Sequence, residues 1–363
     1  LDGSRYSAAH CDVLSLAELR ATLADDVPDV IVLATRGPSA WIILEKVIKE
    51  MARRPVVVTG LPGISIPAQR LGVVYRSGAD LFILHSTREV REYEAIAADT
   101  PLAGRFALAN LPFSAPEVAS SEHRDEVIFA AQALVPRLPE ERRQVIGALI
   151  DLARDKPHLQ VVLKVRATKG EAQTHFEAHS YPDLLEAMLT EGVDLPDNLV
   201  VSAKSMRAHL ARAIGLATVS STAAIEAVAA DVPVLILDDF GVSDEMINTV
   251  FVDSNLVGSL SDLRSATFFT PHDQWRSDNY FHASESDDVV PRLRGLISER
   301  RASGLPPVEL IVRDELRPLQ RVHARLSAGN RARDRWGARL TARAMRYMRG
   351  VRWRLNVQRR KAL

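Results

Sequence analysis

Two doubly wound α/β domains followed by a basic helical extension form the architecture this sequence predicts, and three observations predict it. Short apolar runs alternate with helical patterns through residues 29–97 and again through 126–237, the signature of strands joined by crossover helices. A turn-rich stretch without period, Ala109 to His123, separates the two series. The charge then changes character: residues 318–363 carry 14 Lys and Arg against the single Asp334, whereas the remainder carries 32 against 45, so a chain of net charge zero holds a +13 tail on a −13 body. The expected divisions are 1–117, 118–300 and 301–363.

In the first domain Asp29–Thr35 reads as a buried strand, Trp41–Ala52 as a helix, Pro55–Thr59 as a second strand, and Asp80–His85 with the helical Arg88–Ala97 as a third unit. Ligands of such sheets gather beyond the carboxyl ends of the strands. That rule selects the loops Arg36–Ser39, Gly60–Gly63 and His85–Arg88. His85 is the histidine at a strand end in this half, which makes it the candidate general base; capping or packing is its alternative use. Asp2 and Asp12 are the other candidates. Arg88, Glu89 and Glu92 read as the polar face of a first turn.

The second domain opens with a strand, Glu126–Ala131, and a helix, Pro139–Asp155, whose Val145, Ile146, Leu149, Ile150 and Leu152 face inward while Arg142, Arg143 and Asp151 point outward. On the next strand, Gln160–Arg166, Lys164 and Arg166 project to one side. Either they are solvated edge residues or they set two cations beside a phosphate. His175 and His179 in the following stretch flank Glu177, but the zincin order is absent and no third ligand is near. Asn198–Ser202 is a strand leading through Lys204 and Ser205 toward a helix.

The most informative stretch is Leu216–Asp238: an apolar run, the hydroxyl cluster Ser220-Ser221-Thr222, a helical pattern without proline until Pro233, and a second apolar run. The hydroxyls stand where a helix begins. They either cap it and nothing more, or leave N–H groups and the dipole open to a phosphate. Glu226, four residues past Thr222, lies on the same helical side, where a carboxylate accepts from ribose hydroxyls. Asp238–Asn248 then offers carboxylates and amides beyond a strand end, with Ser243 as a helix cap and Glu245 and Asn248 on one face. From about Arg331, Trp336, Leu340, Ala344, Tyr347, Met348, Val351 and Leu355 recur at helical spacing beside Arg335, Arg339, Arg343 and Arg346. Residues 331–361 therefore read as an amphipathic helix for an anionic membrane surface, with packing against the body as the alternative. No motif for nucleic acid accompanies the charge.

Ser220-Ser-Thr-Ala-Ala-Ile-Glu-Ala-Val-Ala-Ala-Asp-Val-Pro-Val-Leu235 resembles the donor-site element of glycosyltransferases with the two-domain GT-B architecture, and is similar to actinobacterial glycosyltransferase-like proteins; the likeness holds over about residues 120–260. It implies two Rossmann-like domains and transfer of a sugar from a nucleotide sugar to a cell-envelope or lipid-linked glycan. Carried onto this chain, it puts donor phosphates at Ser220, Ser221, Thr222, Lys164 and Arg166, and ribose and base at Glu226, Ser202, Lys204 and Ser205. The donor sugar falls to Glu171, His175, Glu245 and Asn248, and the acceptor to Arg36, Gly60 and Gly63. Lys-Val-Arg replaces the His-Pro element of enzymes that use nucleoside-monophosphate sugars, which counts against a sialyl-type donor. GT-B chains usually open with a further strand, and this one is expected to begin after it. No cofactor or metal is called for. A nucleotide-sugar epimerase, a polyol-phosphate transferase and a non-catalytic glycan-binding scaffold are the alternatives. One cysteine and no apolar run of membrane-spanning length agree with a cytoplasmic protein, peripheral at the inner face of the plasma membrane.

Overall fold

The computed structural model describes residues 14–61, 63–111, 124–166 and 179–311. The chain divides into two compact units, Leu1–Leu310 and Ile311–Leu363. The expected basic helix of 331–361 lies outside the described residues, as do Asp2, Asp12, Glu171 and His175.

Within the first unit, two parallel sheets form two lobes. The first alternates α1 (Leu16–Asp25), β1 (Val30–Leu33), α2 (Gly37–Lys46), β2 (Val56–Gly60), α3 (Arg70–Arg76), β3 (Leu81–Leu84), α4 (Thr87–Ala97) and β4 (Phe106–Leu108), with the strands in sequential order. The second runs β5 (Glu126–Ala130), α5 (Pro139–Asp155), β6 (Gln160–Lys164), α6 (Tyr181–Thr190), β7 (Leu199–Ser202), α7 (Met206–Leu210), β8 (Ala213–Thr218), α8 (Ala223–Ala229), β9 (Val234–Leu237), β10 (Val257–Gly258), α9 (Leu260–Ser265) and α10 (Asp273–Asp278). Its sheet order is β10-β9-β8-β5-β6-β7, so the order reverses between β5 and β8, the switch point at which such sheets bind ligands. Central strands are buried because helices cover both faces: every residue of β5 and β9 is buried, and the one charged residue among them, Glu126, is met by His209 Nδ1 at 2.8 Å. The architecture is GT-B, two Rossmann-like lobes, as the sequence predicts.

The lobes are joined twice. After α10 the chain returns to the first sheet, where α11 (Val289–Ala302) packs Val289, Leu293, Leu296 and Ile297 against Val56, Val58, Leu81 and Ala107. Residues 289–300, expected in the second domain, thus pack with the first. The amphipathic pattern of this helix needs an apolar surface, and the uncovered face of the first sheet supplies one. Asp288 pins the crossing by exchanging bonds with Leu108, its carboxylate accepting from Leu108 N–H at 2.7 Å and its own N–H reaching Leu108 O at 3.1 Å.

Two side chains assigned to the surface are inside. Arg142 on α5 is 2 % exposed: its guanidinium donates to the carbonyls of Pro136, His179, Gln132 and Ala133 and lies 5.1 Å over the Tyr181 ring. Glu89 on α4 is fully buried, its carboxylate accepting from His85 N–H, Ser65 N–H and Tyr280 Oη–H at 2.8, 2.8 and 2.7 Å. Both are polar residues on helix faces that pattern alone assigns to water. They turn inward because loops from elsewhere in the chain bring them donors or acceptors.

Candidate active site

The site lies where the second sheet's strand ends meet the first lobe. At the end of β6, paired in register with Ala130 and Ser202, Lys164 is half-buried and its Nζ donates to Val165 O at 2.5 Å. Glu226, in the first turn of α8, is also half-buried. The two act on each other electrostatically yet form no ion pair. Burial pushes the Lys164 ammonium below its ordinary pKa, against the pull of Glu226, and Arg166 adds to the lowering. Burial likewise pushes Glu226 up, opposed by Lys164. Two opposite charges are thus held partly out of water without forming an ion pair, an arrangement that costs desolvation on both sides. Arg166 is exposed at the rim.

The helix start differs from expectation. Thr222 is the residue before α8, but the first lobe closes over it: Gly63, at φ +71°, sits where a Cβ would stand 2.7 Å from Thr222 Cγ2. Ile64 and Ile66 from the same loop pack into the core that includes Ala223, Ala224, Trp275 and Tyr280. Most N–H groups there are used within the protein. Ser220 N–H donates to Gln132 Oε1, Ser221 N–H to Thr218 Oγ1, Ala223 N–H to Ser221 Oγ and Ala224 N–H to Ser221 O. Ser220 is buried and its hydroxyl donates to Ile247 O, so it faces the core and not a phosphate. The notion of an open helix terminus is therefore corrected. Among the described residues the Thr222 N–H and the hydroxyls of Thr222 and Ser221 donate to no protein group, and both residues are half-buried. Gln132, from the loop after β5, carries no sequence signal that would have selected it.

On the first lobe, His85 follows β3. Its Nδ1 lies 3.0 Å from Ala109 O, a bond only an N–H can make, so in the neutral tautomer the lone pair is on Nε2. Glu89 accepts from the main chain of both His85 and Ser65, and Ser65 is two residues from Gly63, no more than about 7 Å along the chain. One buried carboxylate thus sets His85 beside the loop that meets Thr222. Burial pushes Glu89 above the usual carboxylate range, and burial with the Glu89 charge pushes Tyr280 well above its ordinary value. Gly60 ends β2 close to Ile83 O, and Arg36 precedes α2 on the same edge.

The remaining candidates scatter. Ser202 ends β7; its hydroxyl accepts from Lys204 N–H at 3.2 Å and bonds His209 Nε2 at 2.8 Å, while His209 Nδ1 meets buried Glu126 at 2.8 Å. Ser205 caps α7, and Lys204 is exposed. Asn248 is 1 % exposed and spends its amide on Gly241 O and Ser243 N–H, which closes the 241–248 loop. It is not available to a sugar, and the capped helix expected there is a turn. Glu245 is exposed on that turn. No group of three or more His, Cys, Asp or Glu suited to a metal ion occurs among the described residues.

Two parallel Rossmann-like sheets, the second carrying half-buried opposite charges that form no ion pair near its strand ends, define a protein of the GT-B fold class. More particularly, the sequence matches over residues 1–296 the family described as "Putative glycosyltransferase (DUF6716)", and the chain belongs to that family. No curated protein matches it. Among solved structures it is similar to the UDP-GlcNAc 2-epimerase from Neisseria meningitidis bound to UDP-GlcNAc, with TM-score 0.50 and 12 % identity over 77 % of this chain and 80 % of that one. It is also similar to Anabaena Alr3699/HepE in complex with UDP and glucose, with TM-score 0.46 and 16 % identity over 79 % and 81 %. At such identities the likeness concerns the fold.

Proposed function

We propose that the protein is a glycosyltransferase that binds a nucleotide sugar on the second lobe and passes the sugar to a glycan or lipid-linked acceptor held by the first. The observation that carries this reading is the pair Lys164 and Glu226: half-buried, opposite in charge, unjoined, and beside the Thr222 that the first lobe touches. A nucleoside diphosphate answers both charges, its phosphate oxygens taking Lys164 and its ribose hydroxyls donating to Glu226. As the acceptor oxygen bonds to the anomeric carbon, the bond from that carbon to the diphosphate breaks and the nucleotide leaves with the electron pair. Lys164, Arg166, the Thr222 N–H and the Ser221 hydroxyl stabilise the charge that grows on it. His85 Nε2 takes the acceptor proton. The lysine and arginine supply the positive charge, so this reading needs no metal and no cofactor.

In this reading Ser202, Lys204 and Ser205 line the base, Glu245 with Glu171 and His175 the sugar, and Arg36, Gly60 and Gly63 the acceptor. Residues 331–361 hold the enzyme at an anionic membrane carrying that acceptor. The epimerase likeness supports a second reading, in which the sugar is altered and no acceptor is glycosylated. A thermal-shift panel of UDP, GDP, CMP, CDP and dTDP tests the shared part, since a ligand that prefers the folded state raises its stability. One nucleotide should shift the wild type and leave Lys164→Ala unmoved; a panel without effect overturns both readings. Free nucleotide released only with acceptor separates transfer from epimerisation.

A further inference from the structure

Four arginines are buried among the described residues, and three of them are neutralised or fully engaged. Arg54 makes a two-pronged pair with Asp80 at 2.6 and 2.8 Å. Arg300 pairs with Asp29 at 2.8 Å and donates to Arg54 O. Arg142 is surrounded by the four carbonyls already named. Arg76 is different. It is 4 % exposed, has no carboxylate partner, and donates only to two neutral oxygens, Thr59 Oγ1 at 3.2 Å and Thr35 O at 3.0 Å. A guanidinium has five N–H donors, so three remain unspent. The Phe82 ring, 5.8 Å away, takes one face of the cation.

The position is as informative as the isolation. Arg76 closes α3, yet its side chain runs back between helix and sheet to the carboxyl ends of β1 and β2, where Thr35 and Thr59 lie. That edge is where α/β sheets take ligands. Thr59 is itself held, its hydroxyl donating to Leu33 O at 3.2 Å, so the oxygen that receives Arg76 is fixed. Burial pushes the guanidinium below its ordinary pKa, opposed by Tyr93, whose phenol burial pushes up to about 12, and no carboxylate among the described residues faces the cation. Gly63 follows Thr59 by four residues, about 14 Å at most. The cation therefore sits within one short loop of the contact at Thr222.

We infer that Arg76 is the centre of an oxyanion site on the first lobe, which selects an acceptor carrying a phosphate or carboxylate group. The role as acceptor determinant rests on the transferase reading; the anion site does not. An oxyanion supplies the missing counter-charge, and the flat fork of the unspent donors matches two of its oxygens. A neutral acceptor leaves the cation buried and alone.

The test uses the full chain and inorganic phosphate, with Lys164→Ala and Arg166→Ala together as the background that removes the second lobe's two phosphate-binding cations. Calorimetric titration should show phosphate binding in that background, weakened at least tenfold by adding Arg76→Met and less by Arg76→Lys. Titration with glucuronate then separates carboxylate from phosphate recognition. Because Arg76→Met is a core change, crystals of the wild type soaked in selenate give a second readout that needs no variant: an anomalous peak within hydrogen-bonding reach of the Arg76 guanidinium. Phosphate affinity indifferent to Arg76, or selenate found only near Lys164, overturns the inference. The nucleotide shift of the wild type should survive Arg76→Met if that variant folds, so loss of the anion site and loss of the transferase reading give different results.

Discussion

Gly63→Ala probes the contact on which the site's geometry depends. Gly63 has φ +71°, and an alanine forced into that left-handed region costs about 1 kcal/mol. Its new methyl would also lie 2.7 Å from Thr222 Cγ2, well inside the separation of about 3.5–4.0 Å that carbons prefer. Either Thr222 leaves its rotamer or the loop retreats, and overpacking of this kind costs about 1–3 kcal/mol. The sum is about 2–4 kcal/mol. Thr222→Ser removes the struck methyl and should by itself cost under about 1 kcal/mol, because Thr222 is only half-buried. The double variant keeps the backbone term and loses the steric one, so the coupling energy should be about 1–3 kcal/mol. Urea denaturation of the four proteins, followed by circular dichroism at constant pH, measures it. Additivity within about 0.5 kcal/mol would refute the reasoning, since two atoms that do not touch cannot couple this way, and the first lobe would not rest on α8.

Other outcomes follow from the buried charges. In Glu226→Gln, Lys164 loses the carboxylate that holds its pKa up, so the alkaline limb of nucleotide affinity should move to lower pH; an unmoved limb removes Lys164 from the phosphate. For stability the signs run together. Glu226, raised, favours the fold below its unfolded value near 4.5 and loses that contribution as pH rises; Lys164, lowered, favours it above 10.5 and loses that contribution as pH falls. Near pH 7 both ionised groups penalise the fold, so Lys164→Met with Glu226→Gln should melt no lower than wild type while binding no nucleotide. Tyr280→Phe removes a donor to a buried carboxylate and should cost about 1.5–3 kcal/mol in denaturant midpoints, less in acid where Glu89 is protonated. Arg142→Met strips four carbonyls of their donor and should cost at least about 2 kcal/mol. Arg143→Ala, next in the chain but paired with Glu191 in open solvent, should leave the midpoint where it was.

Local pattern alone was enough for several elements of this fold. Val56–Gly60, Glu126–Ala130, Val234–Leu237 and the helix Pro139–Asp155 were legible because a strand or helix buried in a doubly wound sheet must show its period or its apolar run wherever it sits. The donor-site likeness of residues 220–235 pointed to glycosyltransferases of GT-B fold, which the family match supports, for the same reason: strand, turn and helix are contiguous there. Tertiary structure decided what each polar side chain does, because that depends on partners remote in sequence. Glu89 is a solvated face residue by spacing and a buried link by virtue of Tyr280, 191 positions on. His209 found Glu126 83 positions back, and Asn248 was taken by its own loop before any sugar. Nothing in Ser220-Ser221-Thr222 foretells that Gly63 of the other lobe will lie against it, and nothing in Val-Val-Tyr-Arg76 foretells an arginine buried without an anion. Apolar burial needs only a surface to face and is written locally; a hydrogen bond or a counter-charge needs a particular atom within about 3 Å, and only the folded chain brings it there.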